Sequence, residues 1–186
     1  MELAHAIPER AVFLSRTLPV SRAVCDILGG ARIERLSLPD NRLDNVPALH
    51  VVQAIEPIIS DTTPSVVLAH YTYDLKVDHR ICHQAVIGAY RPQRGHLVKT
   101  IINFEVASTP EWAFSSEGFE PNYFIDISSS LDIKLSALDA YSEEMRSAPH
   151  PRSPSGIEAL ARWRGATVGY RAAEAFSVVR MIIDEV

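Results

Sequence analysis

Two carboxylates and an imidazole crowd into Tyr73-Asp74-Leu75-Lys76-Val77-Asp78-His79-Arg80. Groups of this kind move protons, hold metal ions or orient a polar substrate when a fold brings them to one edge. His79 and His83 stand at i and i+4, so on a helix they share a face and could hold a metal, although the spacing lacks the glutamate of the zincin motif. Asp78, near a helix start, could equally accept a free backbone amide as a cap. His70 reads either as a ligand or as a histidine bonded to backbone. Glu111-Trp112, with Phe114 and Phe119, could form a rim on which a sugar stacks or could simply pack a loop. His150-Pro151-Arg152-Ser153 could bind an anion or be a solvated turn. The chain has no Gly-rich phosphate loop, no GxSxG elbow and no glycine fingerprint after its first strand, so nucleotide chemistry lacks its usual support.

The elements that must position these groups alternate along the chain. Pro64-Ser65-Val66-Val67-Leu68-Ala69 is a short apolar run that suits a buried strand of a parallel sheet. Ile81, Ala85, Val86 and Ala89 recur at helical spacing, which puts His79 in the first turn of a helix. In open parallel sheets ligands bind outside the carboxyl ends of strands, where this cluster would lie. Upstream, residues 10–15 and 32–36 read as strands and 20–28 as a helix closed by Gly29-Gly30. Pro39 to Arg42 is a turn. Residues 46–59 read as a helix with Pro47 in its first turn and Pro57 near its frayed end. Downstream, 99–106 and 122–127 read as strands, and 131–145, 155–164 and 171–183 as helices. Residues 108–121 and 147–154 are the longest irregular stretches, of the kind that often carries function. The alternation predicts a three-layer α/β sheet.

At 186 residues, 47% hydrophobic and 22% charged, the chain is expected to form a single domain over 1–186 with a sizeable core. Its net charge of −5 and scattered Lys and Arg argue against nucleic acid and against an anionic membrane surface. Cys25 and Cys82 have no CxxC spacing, which points to free thiols in a reducing compartment. No apolar run approaches the roughly 20 residues of a membrane span, and the start lacks the form of a signal peptide. The expected location is the cytoplasm.

Several segments, in order, resemble the LmbE-like, or PIG-L, zinc-dependent de-N-acetylases of N-acetylated aminosugars. Leu38-Pro39-Asp40-Asn41-Arg42-Leu43-Asp44 is similar to that family's LPDNRLD loop, and His70 through Arg80 to its HHxGDLNxDHR segment. Glu111 to Phe114, Phe124 to Ser128, His150 to Ser153, Arg164-Gly165 and Ala173 to Phe176 match in the same order. The resemblance implies a mostly parallel, Rossmann-like αβα sheet and hydrolysis of an acetamide, with zinc as cofactor and an aminosugar or its conjugate as substrate. It implies His79 as a metal ligand and Asp78 as the catalytic carboxylate that orients or polarises the site. Arg42, Asp74, Glu111 and Trp112 would face the sugar.

The chain departs from that pattern at its start. HPDDE, which supplies a His and an Asp ligand and the general base in the family, is absent. Ala4-His5-Ala6-Ile7-Pro8-Glu9 echoes it only in the His and Glu, an accidental likeness. The expectation is therefore a domain that lacks the first strand and helix, in which His70 or Asp74 would have to replace a ligand. Tyr73 and Lys76 stand where the family has Gly and Asn. An exposed sheet edge predicts self-association into a homo-oligomer. The alternative is a non-catalytic protein that binds a sugar or a partner subunit.

Overall fold

The computed structural model describes residues 12–14, 18–29, 32–92, 98–114, 117–142 and 144–185. The HPDDE-like echo around His5 lies outside them. The chain divides into two compact units, Met1–Ser37 with Phe124–Ala175, and Leu38–Tyr123 with Phe176–Val186.

The second unit carries the candidate site. A 3₁₀ turn over Leu43–Asn45 leads into α2, Ala48–Thr62. Val51, Ile55 and Ile59 recur every four residues and form the buried stripe of α2. Pro47 is the residue capping α2 rather than part of its first turn, and Pro57 lies inside the helix rather than at a frayed end. Thr63 then closes α2 in a left-handed conformation. Strand β3, Val66–His70, feeds α3, Val77–Ala89, which packs against both α2 and β3. Gly88 lets α2 and α3 approach, since a Cβ there would stand 3.2 Å from Val52 Cγ2.

Strand β4, Thr100–Phe104, pairs in parallel with β3 from Val66↔Thr100 to His70↔Phe104. Short helix α4, Thr109–Trp112, then interrupts the stretch expected to be irregular. β5 is Tyr123–Asp126 and β6 is Ala173–Met181. The four-stranded sheet has the order β3-β4-β6-β5, with β4 and β6 antiparallel and a bulge between Ile101 and Ile102. The α/β class is borne out, with a sheet that is not wholly parallel.

Two expectations are corrected. Residues 171–183 form strand β6 and not a helix, because Ala173, Ala175 and Phe176 are buried in a nine-residue extended strand that ladders with β4. Among the described residues the apolar run of β3 is the end strand of its sheet and not a buried central one, with Val66 49% and Leu68 52% exposed.

In the first unit β1, Val12–Leu14, pairs in parallel with β2, Arg32–Glu34. Helix α1 spans Leu18–Ile27, α5 Leu131–Asp139 and α6 Pro154–Ala166. Helix α5 therefore ends well before the expected Met145. Ile127, Leu131, Ala161 and Ala172 form the core, with Ile125 and Leu135 against it. Ser153 starts α6 by accepting the Gly156 amide at 3.0 Å, a cap that satisfies one orphan donor. Cys25 is buried, Cys82 half-buried, and both are free thiols. Among the described residues no helix is long and apolar enough to cross a membrane.

Candidate functional site

The site forms where β3 ends and α3 begins. After His70 the chain turns, with the Asp74 amide donating to Tyr71 O at 3.2 Å. The Lys76 amide donates back to Asp74 Oδ1 at 2.8 Å, a local bond that aspartate readily makes to the backbone two residues on. Arg80 Nη1 braces the same turn by donating to the carbonyls of Asp74 at 2.7 Å and Leu75 at 2.8 Å.

Asp74 is the buried centre of this arrangement, at 1% exposure. Its Oδ2 accepts from Thr109 Oγ1 at 2.6 Å and lies 3.0 Å from His79 Nδ1. The His79 N–H does not point along that line, so the contact is an electrostatic one rather than a well-aligned hydrogen bond. Burial alone would push the Asp74 carboxyl up in pKa. The interactions with His79, Thr109 and the Lys76 amide outweigh it and hold the group below the usual aspartate value.

The His79 ring stacks on His70 with centroids 4.1 Å apart and planes at 27°, and His70 meets Phe104 at 4.8 Å. Burial, and then the neighbouring His79, lower the His70 pKa from 6.5 to about 4. His83 Nδ1 lies 2.9 Å from His70 O and 3.1 Å from Asn103 Oδ1. A carbonyl oxygen only accepts, so this nitrogen carries a proton. His83 thus locks α3 to β3 and β4, the structural role, and does not pair with His79 as a ligand. Burial also raises the Cys82 thiol to about 11, which removes it as a nucleophile near neutral pH.

The other expected residues fall around this core. Asp78 Oδ1 accepts the Leu43 amide at 3.1 Å and so ties the 3₁₀ turn to α3. Arg42 stands exposed immediately before that turn. Glu111 and Trp112 are exposed on α4, the helix whose first residue, Thr109, reaches Asp74. Sequence reasoning missed Thr109 altogether. Its signal was faint: Ser108-Thr109-Pro110 is a common helix opening, and nothing ties it to a residue so far upstream. The family resemblance pointed to Asp78 as the carboxylate that orients or polarises the site, whereas Asp74 faces the ring.

A catalytic zinc needs three protein donors converging on one point. Among the described residues no group of three His, Cys, Asp or Glu could hold a metal ion. Both Asp74 oxygens are engaged by protein donors. The in-plane nitrogens of nearly parallel stacked rings do not converge at bonding distance, so His70 and His79 are not set as a pair of ligands. The described residues do not fit a zinc site by themselves.

Residues 19–90 match the family model PIG-L, GlcNAc-PI de-N-acetylase. The match covers this stretch alone, less than half of the chain. It contains Arg42, His70, Asp74, Asp78 and His79, and it bears out the resemblance read from the motifs. No curated protein matches the sequence. Solved structures share the fold of the chain. The conserved protein TT1542 from Thermus thermophilus is 21% identical with a TM-score of 0.69, over 95% of this chain and 83% of its own. GalB, the 4-carboxy-2-hydroxymuconate hydratase from Pseudomonas putida, is 18% identical with a TM-score of 0.71, over 95% and 86%. The N,N'-diacetylchitobiose deacetylase from Pyrococcus horikoshii is 19% identical with a TM-score of 0.67, over 87% of this chain and 62% of its own.

Proposed function

We propose that this chain carries out, or contributes to, the hydrolytic de-N-acetylation of an N-acetylated aminosugar or its conjugate. The observation that carries the reading is the Asp74–His79 pair at the carboxyl end of β3, within the stretch that matches PIG-L. His79 is the working imidazole and Asp74 fixes its ring. Asp78 holds the loop that bears Arg42, and Arg42, Glu111 and Trp112 meet the sugar. Zinc is the metal the family resemblance implies, and no step is assigned to it. Because the described residues do not complete its site, the chemistry assigned to this chain is binding and orientation. The free thiols suit a reducing compartment, so we place the protein in the cytoplasm. The apolar end strand β3 supports self-association.

The misfit to zinc favours a second reading, a sugar-binding or subunit-interaction protein without chemistry. Two measurements on the purified chain separate the readings: zinc per chain after dialysis against a weak chelator, and acetate release from N-acetylglucosamine conjugates. Near-stoichiometric zinc with acetate release supports the enzyme. Sugar binding, detected by saturation-transfer NMR, without zinc or acetate supports the second reading. A chain that binds neither zinc nor sugar refutes both.

A further inference from the structure

Thr109 reaches the site from the segment that follows β4, and the backbone that delivers it is held in an unfavourable shape. Ser108, just before it, has φ 88° and ψ −33°, a left-handed conformation that residues with a Cβ rarely adopt. Ser108 is also fully buried, and its Oγ has no hydrogen-bond partner. Two costs thus meet at one residue whose own side chain gains nothing. What they secure is the next residue: Thr109, 3% exposed, donates from Oγ1 to Asp74 Oδ2 at 2.6 Å. Its longer 3.2 Å approach to Val106 O is secondary, since a hydroxyl has one proton.

Oδ2 is also the oxygen that faces His79 Nδ1 at 3.0 Å. A ring nitrogen bearing a lone pair would repel a carboxylate oxygen at that distance. The carboxylate's charge at that distance favours a proton on Nδ1 over a lone pair even without an aligned hydrogen bond, and in the neutral ring Nε2 then keeps the lone pair. Lys76 N on Oδ1 and Thr109 Oγ1 on Oδ2 leave the Asp74 carboxylate no freedom to rotate away.

We propose that Thr109 is a positioning residue: its hydroxyl, delivered by the left-handed Ser108, fixes Asp74 so that Asp74 keeps His79 in the Nδ1–H tautomer and leaves Nε2 as the nitrogen that meets substrate. The proposal takes from the proposed function only that His79 is the working imidazole.

The test is long-range ¹H–¹⁵N NMR of histidine side chains in the full chain at neutral pH, with chelator and without sugar. A failed hydrolysis assay and a failed tautomer assignment are therefore separate results. His83, whose Nδ1–H is held by His70 O and Asn103, is the internal reference for an intact fold. The wild type should show His79 with a protonated Nδ1 and a lone pair on Nε2. Thr109→Val should give mixed tautomers at His79 with the His83 signal unchanged, and Thr109→Ser should restore the wild-type pattern. Ser108→Gly should leave the tautomer alone, because it relieves the strain without removing the hydroxyl. If Thr109→Val fails to fold, Asp74→Asn decides the matter: its amide can donate to Nδ1, and His79 should move toward the Nε2–H form. A wild-type His79 already protonated on Nε2, a Thr109→Val spectrum identical to wild type, or an unchanged tautomer in folded Asp74→Asn would each overturn the proposal.

Discussion

His70 makes the protein sensitive to mild acid, and the size of the effect follows from its surroundings. The folded imidazole titrates at about 4, through burial and the nearby His79, against 6.5 for an ordinary histidine. Above pH 6.5 the ring is neutral in both states and contributes nothing to pH dependence. Below 6.5 the unfolded chain takes up a proton that the folded chain refuses, so stability falls until the folded ring titrates near 4. At about 1.4 kcal/mol per pH unit, this one group removes roughly 2 kcal/mol by pH 5 and roughly 3 kcal/mol by pH 4. Urea unfolding followed by tryptophan fluorescence, at about pH 7 and about pH 5 with chelator, measures it. His70→Phe keeps an aromatic ring beside His79 and Phe104 but cannot titrate, so its stability should fall by roughly 2 kcal/mol less over that interval. Any loss of packing in the variant affects both pH values alike and cancels in the difference. Wild type and variant losing the same stability between the two pH values would refute the reasoning.

Two further outcomes follow from the framework. Gly165→Ala would place a Cβ 2.6 Å from Ala172 Cα and 2.7 Å from Ala172 N, backbone atoms that cannot swing aside. We expect a loss of about 3 kcal/mol, read as a lower urea midpoint at unchanged slope, and a midpoint like wild type would contradict this packing. Leu68→Lys puts a charge on the end strand β3, the device by which natural edge strands avoid pairing. Sedimentation equilibrium should show concentration-dependent association in the wild type and a monomer in the variant, and a wild type that stays monomeric at high micromolar concentration removes the case for a homo-oligomer.

The run from β3 into α3 was legible because an apolar strand, a polar turn and a helical repeat follow in sequence, each with its own period. The shared helix face of His79 and His83 allowed a metal pair, and the contacts of His83 with His70 O and Asn103 give it the structural role instead. Which strand forms the sheet edge was not legible, since Val66 to Ala69 has the composition of a central strand and only pairing partners distinguish the two. Strand β6 was taken for a helix because Ala173, Phe176 and Arg180 also fit a helical repeat, and its irregular burial hides the strand alternation. Within the site, the family resemblance pointed to Asp78, while the turn at Tyr71–Asp74 brings the other carboxylate beside the ring. Thr109 was out of reach because its partner lies 35 residues away and is chosen by the β3–β4 pairing.

The bond between the Leu43 amide and Asp78 Oδ1, at 3.1 Å, joins two single-residue neighbours of the groups assigned to the substrate: Arg42 precedes one end and His79 follows the other. It works as a mechanical linkage. A molecule that draws on the guanidinium loads the backbone at residue 43, and that load passes through one hydrogen bond into the first turn of α3. In the proposed function, the loop that bears Arg42 and the ring of His79 therefore share a single geometry.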